Sequence, residues 1–178
     1  MTPANDVDVA DLLEMIARQK VADVMARYAR GIDRCDIETL LSVFWPDARA
    51  DYGSGEQDAG AWARATVTAL KGMRRTQHSV GNLLVEFQGE QARAETYCHA
   101  FHEFEGADGP REMVVGGRYL DLLERRTGEW RISRRIYVMD WNHNGPSTCQ
   151  WDEGIYAGLK IRGGRWPQDP LRAFLAGD

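Results

Sequence analysis

Apolar positions near the start of the chain recur every three or four residues, which is the spacing of one helix face. From Asp8 to Ile32 this spacing predicts a single long amphipathic helix. Asp36 then precedes the run IETLLSVF, and an aspartate in that place is the expected N-cap of a second, short helix over residues 37–44. The chain therefore opens with two consecutive helices.

The pattern then changes from helical to strand-like. A turn at Pro46-Asp47, a short strand and a third helical segment that stops at Gly72 come first. Four segments with the composition of strands follow, separated by turns that contain glycine: SVGNLLVEFQ, QARAETYCHAFHEFE, EMVVGGRYLDLLERR and EWRISRRIYVMDW. Helices followed by this antiparallel meander predict an α+β fold in which a curved sheet wraps the N-terminal helices.

Two features refine this organisation. Gly116-Gly117 interrupts the third of the long strands, where glycine usually marks a bulge or a close backbone approach. The G-x-G-x-x-G pattern of dinucleotide-binding loops is absent from the sequence.

Residues 144–178 are too apolar for a free tail, so we expect them to pack on the domain or on a neighbouring subunit. The predicted division is a domain over residues 1–143 and a C-terminal extension over residues 144–178.

Composition narrows the class of protein. The chain has 178 residues, of which 43% are hydrophobic and 28% charged, as in ordinary globular domains. Its net charge of −5 argues against nucleic acid as the main partner, because that binding draws on a basic surface. The N-terminus is acidic and polar, unlike a signal peptide, and no apolar run approaches the ~18 residues of a membrane span. Cys35, Cys98 and Cys149 are far apart and odd in number, which predicts reduced thiols in a cytoplasmic protein.

The histidines do not suggest a metal site. His99 and His102 are three positions apart on a predicted strand, and an odd separation sends side chains to opposite faces. The two rings therefore do not share an ion easily, and we predict no bound metal. His102 belongs to the strand face that otherwise carries small apolar residues, so we expect it to point inward and His99 outward.

Nucleophilic catalysis also finds little support. Ser79 has no G-x-S-x-G elbow around it, and Cys98 lies among small residues, which suits a buried side chain better than an activated thiol. General acid–base chemistry is the class that remains.

Asp33 is the unusual acid of this sequence. It lies where the first helix should end, and a carboxylate there meets the negative end of the helix dipole, which costs a few tenths to ~1 kcal/mol. A simple explanation is that Asp33 caps a turn or pairs with Arg30 or Arg34. The question is which interaction offsets the electrostatic cost of this carboxylate.

Polar side chains would converge if the sheet curls around the first helix. They would come from the end of that helix, from the segment after Pro46 and from the sheet. The polar set is Tyr28, Asp33, Tyr52, His78, Asn82, His102 and Arg135. The expected walls are Phe44, Trp45, Trp62, Tyr119 and Trp141. A mostly apolar cavity with a few convergent polar groups is the usual form of a ligand site.

Short motifs recur in a recognisable order. They are Y-x-x-x-x-D at Tyr28, F-x-x-D-A at Phe44, T-x-H-x-x-x-N at Thr76, G-x-x-A-x-A-x-T-Y at Gly89, G-G-R-Y-x-D-x-x-E-R at Gly116, G-x-W-R-I-x-x-R at Gly128 and the pair Asp140-Trp141. Together they resemble the SnoaL-like branch of the NTF2-like superfamily over residues 8–142. The resemblance implies a cone: a strongly curved, mostly antiparallel sheet around N-terminal helices, with a deep pocket at the open end.

Within that branch the motifs are similar to those of cofactor-free lyases, namely scytalone dehydratase, bile acid 7α-dehydratase and hexachlorocyclohexane dehydrochlorinase. Related folds include lyases that remove formaldehyde from diaryl compounds. The resemblance implies that His78, supported by Asp33, removes a proton from the substrate. In that case the bond to His78 compensates Asp33, fixes the imidazole tautomer and stabilises the imidazolium.

The remaining roles are implied by the same resemblance. Tyr28 and Tyr52 resemble phenols that polarise a substrate oxygen, His102 resembles a second pocket histidine and Arg135 resembles a pocket arginine. We expect Tyr28, Tyr52 or Arg135 to hold the departing or carbonyl oxygen of the substrate. Tyr119 departs from the pattern, because scytalone dehydratase carries a polar amide there, so scytalone itself is not expected as the substrate.

The expected function is a cofactor-independent lyase that eliminates water, halide or formaldehyde from a small hydroxylated aromatic or alicyclic compound. Two alternatives stay open: an isomerase or cyclase with the same Asp–His pair, and a non-catalytic small subunit of a ring-hydroxylating oxygenase. We also expect a homodimer or homotrimer, with Tyr97 and Phe101 on the outward face suited to an interface.

Overall fold

The computed structural model describes residues 8–177. Its helices are α1 (Val9–Arg34), α2 (Ile37–Ser42), α3 (Ala59–Lys71) and α4 (Leu171–Ala176), with a short 3-10 helix at Gly154–Gly158. Its strands are β1 (Phe44–Asp51), β2 (Gln57–Asp58), β3 (Arg75–Gln88), β4 (Gln91–Gly106), β5 (Gly109–Arg126) and β6 (Glu129–Pro146). Asp36 caps α2 as predicted, because its carboxylate accepts from the backbone N–H of Thr39 at 3.2 Å.

The strands form one sheet in the order β2-β1-β6-β5-β4-β3. Strands β3 to β6 are the predicted antiparallel meander, and β1 joins it by running parallel to β6. The sheet thus has six strands where the sequence indicated a meander of four and one short strand. The α+β class and the cone-shaped, NTF2-like arrangement of a curved sheet around N-terminal helices are confirmed.

The prediction for residues 44–47 is wrong in detail. Helix α2 ends at Ser42, and Phe44 already pairs with Ile132 of β6. Pairing resumes only at Arg49, so the intervening residues form a bulge in β1. Pro46 is exposed within that bulge, where its missing N–H removes no ladder bond.

Bulges bend the sheet. The register shifts between Gly116 and Gly117, as predicted, and the Trp141 ring lies so close that a Cβ at Gly116 would stand 2.1 Å from it. A second shift lies between Gly81 and Leu84 in β3. Because bulges increase local twist and bending, these breaks help the inner face of the sheet to close around α1.

The core lies between the helices and the inner face of the sheet. Helix α1 contributes Val21, Val24, Met25, Tyr28 and Ile32. The inner face of β4 contributes mainly small side chains: Ala92, Ala94, Thr96, Cys98 and Ala100. Small residues on the sheet opposite large ones on the helix leave room for an interior cavity.

The C-terminal extension folds back on the domain. Strand β6 continues to Pro146, beyond the predicted boundary at residue 143. The Ser147 hydroxyl then donates to Glu103 at 2.8 Å, and the Trp166 backbone N–H donates to the carbonyl of Arg34 at 2.6 Å. Several apolar side chains of the extension remain exposed: Ile155, Leu159, Ile161, Phe174 and Leu175. Residues 1–7 and 178, included in the predicted division, lie outside the described residues.

The outer face of the sheet exposes Leu84, Tyr97 and Leu120. Association into a homodimer or homotrimer through this face stays a prediction. Among the helices within residues 8–177, none is long and apolar enough to cross a membrane.

Candidate active site

Asp33 and His78 meet inside the cone. The Asp33 carboxylate accepts from His78 twice, through Oδ1 from ring Nδ1 at 2.7 Å and through Oδ2 from the backbone N–H at 2.7 Å. Both side chains are nearly buried, with 8% and 6% of their surface exposed. Because the carboxylate holds Nδ1–H, the lone pair of the neutral ring lies on Nε2.

The end of α1 places Asp33. Cys35 adopts the left-handed conformation (φ 51°), and its N–H caps the carbonyls of Gly31 and Ile32. Gly31 lies so close to α2 that a Cβ would be 2.8 Å from the Leu40 nitrogen. A side chain at Gly31 would therefore push α2 away and disturb the last turn that carries Asp33.

A turn cap or an ion pair with Arg30 or Arg34 would have explained Asp33 more simply, but neither is what the structure shows at its carboxylate. The Arg34 guanidinium pairs instead with Asp169, at 3.0 Å, and the Asp33 carboxylate is occupied by His78. His78 is the fourth residue of β3, because that strand begins at Arg75 rather than at Ser79. The predicted contact is present, with His78 inside a strand rather than at its first residue.

A cavity of about 280 Å³ adjoins this pair. Its polar lining includes His78, His102, Tyr28, Tyr52 and Thr66. The rest of the lining is aromatic, aliphatic or sulfur-containing: Ile32, Trp62, Leu70, Cys98, Ala100, Met113, Val115, Tyr119 and Tyr137. The cavity is thus mostly apolar, with an imidazole on its wall, which matches the usual form of a ligand site.

Two tyrosines form a second polar group in the cavity lining. The Tyr28 and Tyr52 hydroxyls are 2.8 Å apart, and the Tyr52 ring stacks on Trp62 at 4.0 Å. Burial raises the pKa of Tyr28 and raises that of Tyr52 further, although the nearby Arg135 charge opposes both shifts. Both phenols are therefore protonated at neutral pH and can donate hydrogen bonds.

His102 points inward and His99 outward, as predicted. His102 is buried and its ring lies 5.4 Å from that of His78, roughly perpendicular to it. Burial, helped by the proximity of His78, lowers the pKa of His102 to about 4. His102 is thus a neutral imidazole at pH 7, and its Nδ1 has no hydrogen-bond partner in the described structure.

Arg135 does not line the cavity, contrary to the expectation. Its guanidinium is fully buried beneath the tyrosines, 4.1 Å from the Tyr28 ring centre and 4.0 Å from that of Tyr119. Two bonds of 2.7 Å join it to Asp121, which faces it on the neighbouring strand. Arg135 therefore supports the tyrosines from below instead of contacting a ligand.

Other predicted pocket residues lie elsewhere. Asn82 is exposed at the β3 bulge with φ 47°, and Phe44 is buried in the core against Tyr28. Trp45 packs under Arg126 and Arg131 and donates to the carbonyl of Glu124. None of these three side chains lines the cavity.

The prediction that Trp141 lines the cavity is wrong, because a bulge in β6 changes the face of the sheet on which Trp141 lies. Tyr119 pairs with Tyr137 and Gly117 with Met139, but Gly116 pairs with Trp141, so β6 has an extra residue at Asp140. The extra residue reverses the alternation of faces beyond it. Trp141 is therefore 45% exposed on the outer face, where it contacts His99.

Tyr137 is the main cavity residue that the sequence reasoning missed. It stands opposite Tyr119 in the β5–β6 register and shares its inward face. Strand alternation from Arg135, which was already predicted to point inward two residues earlier, would have found it. Met113, Val115 and Leu70 had no signal of their own, because apolar residues at such positions are indistinguishable from core.

Within residues 8–177 the structure contains no cluster of three or more histidine, cysteine or acidic residues that could hold a metal ion. The three cysteines are free, with Cys35 and Cys98 buried and Cys149 exposed.

Solved structures of similar shape come from several proteins. A candidate aromatic ring hydroxylase of Novosphingobium aromaticivorans is 27% identical, with TM-score 0.63, over 72% of this chain and 92% of that one. A candidate scytalone dehydratase of the same species is 17% identical, with TM-score 0.67, over 76% and 92%. The hexachlorocyclohexane dehydrochlorinase LinA-type3 of Novosphingobium barchaimii is 20% identical, with TM-score 0.69, over 81% and 99%. The last two similarities show the fold alone.

Comparison of the sequence with curated proteins found no match. Comparison with family models, in contrast, found one match. The model of the SnoaL-like domain matches residues 14–136, which are more than half of the chain and include Asp33, His78 and the Tyr28–Tyr52 pair. The chain therefore belongs to the SnoaL-like domain family, within the NTF2-like superfamily.

Proposed function

We propose that this protein is a cofactor-independent lyase acting on a small hydroxylated aromatic or alicyclic compound. One observation carries the proposal: a buried carboxylate holds His78 through both its ring and its backbone at the wall of an aromatic cavity. The fold alone does not determine the chemistry, so the proposal rests on this site.

The proposed base is Nε2 of His78. Asp33 holds Nδ1–H, so Nε2 is the nitrogen that takes a proton from a substrate carbon. For loss of water or hydrogen halide, the electron pair of the broken C–H bond forms a C=C bond as hydroxide (protonated to water) or halide leaves the neighbouring carbon. For loss of formaldehyde, Nε2 instead takes the O–H proton of a hydroxymethyl group. The C=O bond of formaldehyde then forms as the C–C bond breaks, and the electron pair of that bond stays on the substrate carbon, which takes the proton back. The Asp33 carboxylate stabilises the imidazolium that results.

The tyrosine pair is the proposed site for a substrate oxygen. In the bond between Tyr28 and Tyr52 one hydroxyl donates to the other, which leaves one hydroxyl proton available to the ligand. A neutral phenol donates to a carbonyl or a departing oxygen without leaving a buried charge behind. Base and donor line the same cavity, as an elimination requires.

The cavity limits the class of substrate. Its volume of about 280 Å³ admits a compact molecule, and rings of Tyr52, Trp62, Tyr119 and Tyr137 favour a flat or cyclic one. General acid–base catalysis supplies ~10²–10⁴-fold, and positioning in a site that excludes water supplies much of the remainder. No cofactor is required for that chemistry.

The test is a screen of hydroxylated aromatic and alicyclic compounds, without added cofactor, with mass spectrometry of the products. We expect a loss of 18 mass units, or of hydrogen halide or formaldehyde, from at least one compound. His78→Ala should lower turnover by at least ~10²-fold. His99→Ala is the matched control, because this histidine lies on the outer face and should leave the rate unchanged.

The outcomes separate the alternatives. A product of unchanged mass would support an isomerase or cyclase with the same base. Equal turnover by His78→Ala and the parent protein would reject the mechanism.

A second candidate is the small subunit of a ring-hydroxylating oxygenase. The observation that favours it is the 27% identity to the candidate aromatic ring hydroxylase. Purification from the native host distinguishes the two. A stoichiometric large partner, together with no turnover by the isolated chain, would favour the subunit.

A further inference from the structure

Arg165, in the C-terminal extension, contacts the backbone that carries the Asp33–His78 pair. Its guanidinium donates to the carbonyl of Asp33 itself and, at 2.7 Å, to the hydroxyl of Thr76 on β3. It also donates to the carbonyls of Leu70 at 3.1 Å and Met73 at 3.3 Å, at and just beyond the end of α3. One side chain therefore joins the two helices and the strand from which the site is built.

The extension completes the end of α1. A helix leaves its last four carbonyls without partners inside the helix. Those of Gly31 and Ile32 are capped by the chain that follows. Those of Asp33 and Arg34 accept instead from the Arg165 guanidinium and from the Trp166 backbone N–H. Two consecutive residues of the extension thus cap the turn that presents the acid.

The charge of Arg165 suits this place. The C-terminal end of a helix carries partial negative charge, which disfavours the carboxylate of Asp33 and favours a cation. The guanidinium lies directly on the carbonyl of Asp33. Arg165 therefore offsets the same electrostatic cost that makes Asp33 unusual in the sequence.

On the strand side, the contact lies two residues from the base. Thr76 precedes His78 by two positions in β3, is buried, and its hydroxyl is 3.5 Å from the carbonyl of Asp33. Because the Arg165 guanidinium binds both the Asp33 carbonyl and the Thr76 hydroxyl, it fixes the gap, that is, the distance between the end of α1 and this part of β3. That gap sets the 2.7 Å distance from Asp33 Oδ1 to His78 Nδ1.

Arg165 is itself held in place. Asp169, also buried, accepts from the backbone N–H groups of Gly164 at 2.8 Å and Leu171 at 3.0 Å, and pairs with Arg34 at 3.0 Å. The loop that presents Arg165 is therefore anchored on both sides of it. A guanidinium presented in this way loses little freedom when it binds its acceptors.

We propose that Arg165 is a positioning residue for the Asp33–His78 pair, and that the C-terminal extension is thereby part of the site. The match to the family model ends at residue 136, so this contribution comes from outside the matched domain. The kinetic consequence rests on the proposed function, whereas the structural consequence rests on the contacts alone.

The experiment compares Arg165→Met with the parent protein by two readouts. The first is the NMR resonance of the His78 ring Nδ1 proton, observed with isotope-labelled histidine, which a 2.7 Å bond to a buried carboxylate shifts downfield and protects from exchange. We expect this resonance to broaden or vanish. The second readout is kcat, which should fall by about 10- to 100-fold with KM changed less than about threefold, since the geometry of the base is disturbed and the cavity walls are not.

Arg162→Met is the matched control. Arg162 belongs to the same extension, and its hydrogen-bond partners among residues 8–177 all lie in that extension, namely Trp151, Asp152, Tyr156 and Leu159. Its loss should leave the His78 resonance and kcat near the parent values. Equal effects of the two variants would overturn the proposal, because they would reflect loosening of the extension in general.

Further outcomes keep the test decisive. A folded Arg165→Met protein with the parent resonance and a rate within twofold would overturn the proposal. If Arg165→Met does not fold, Arg165→Lys retains the charge without the four-bond fork and should broaden the resonance. A normal resonance in that variant would mean that Arg165 supports stability only. If no compound is turned over, the proposed function fails, and the resonance still decides the positioning role.

Discussion

Asp33 and Asp121 are both buried carboxylates, and each lies 2.7 Å from the nitrogen of its partner. Their partners differ in kind and in access. His78 lines the cavity, whereas Arg135 is enclosed between the rings of Tyr28 and Tyr119. A histidine gains and loses a proton near neutral pH, and an arginine does not. Only the first pair adjoins the cavity, and the proposed proton transfer is therefore assigned to it.

The comparison shows that a buried ion pair is not by itself a sign of catalysis. Asp121 and Arg135 face each other on adjacent strands, and both side chains are fully buried. Burial disfavours the charge of Arg135, but the attraction and hydrogen bonds of Asp121, together with the nearby Tyr52 and Tyr28, outweigh burial, and the pKa of Arg135 is raised. The Asp121–Arg135 pair lies beneath the tyrosines, whereas His78 of the other pair lines the cavity.

The largest expected effect is on stability, at the Arg135 pair. Arg135→Met should lower the free energy of unfolding by about 3–5 kcal/mol, because the Asp121 carboxylate would stay buried without a partner. Urea denaturation measures this. Arg135→Met combined with Asp121→Leu should recover most of the loss, since an apolar pair leaves no unpaired charge. A single variant within about 1 kcal/mol of the parent would contradict the structural role.

The next effect is on turnover, at the His78 pair. Asp33→Asn and His78→Ala should each lower kcat by at least ~10²-fold, and the double variant should be only slightly slower than the slower single one, because the two residues act as a unit. Unlike the Arg135–Asp121 pair, the Asp33–His78 pair has no apolar replacement that should restore its role, because turnover needs the proton-accepting imidazole. A double variant whose loss is the product of the two single losses would show that the residues act independently.

The third effect is a change of stability with pH, caused by His102. The unfolded histidine has a pKa near 6.5 and the folded one about 4, so the unfolded state binds more protons between those values. The contribution is present above about pH 6.5 and is lost as the pH falls through 4, by up to about 3 kcal/mol. His102→Gln should flatten the unfolding profile in this window, and His99→Gln, at an exposed position, should retain the slope. Identical profiles for His102→Gln and the parent would contradict the prediction.

The smallest effect concerns the phenols. Tyr28→Phe removes one hydroxyl of the 2.8 Å pair with Tyr52 and should lower kcat about tenfold, the worth of one neutral hydrogen bond. The measurement is steady-state kinetics on a substrate from the screen. Tyr97→Phe, on the outer sheet face, is the control and should have no effect. A tenfold loss in both variants would point to a general loss of structure.

The long-range order of the fold was predictable to a large extent. The helical spacing before Arg34, the Asp36 cap and the alternating segments after Gly72 correspond to α1, α2 and the meander of β3 to β6. These patterns are local, because a face that is buried must repeat with the period of its helix or strand. The parallel pairing of β1 with β6 has no such local signature and was not predicted.

The site was predictable in part for a similar reason. Inward positions before a bulge follow from the alternation, so His102 and Tyr119 were placed correctly. Trp141 lies beyond the extra residue at Asp140, where alternation reverses, and Arg135 is inward but too deep to reach the cavity. Depth and bulges depend on how strands pack, which residue types alone do not encode.

The sequence by itself determined the α+β class, the family and the two residues of the proposed base, because periodicity and motif spacing are properties of the chain. Only the tertiary structure decided which carboxylate faces a cavity, that Tyr137 and not Trp141 lines it, and that Arg165 caps the helix end more than a hundred positions away. Such contacts join residues distant in the chain, and they exist only once the sheet has closed around α1.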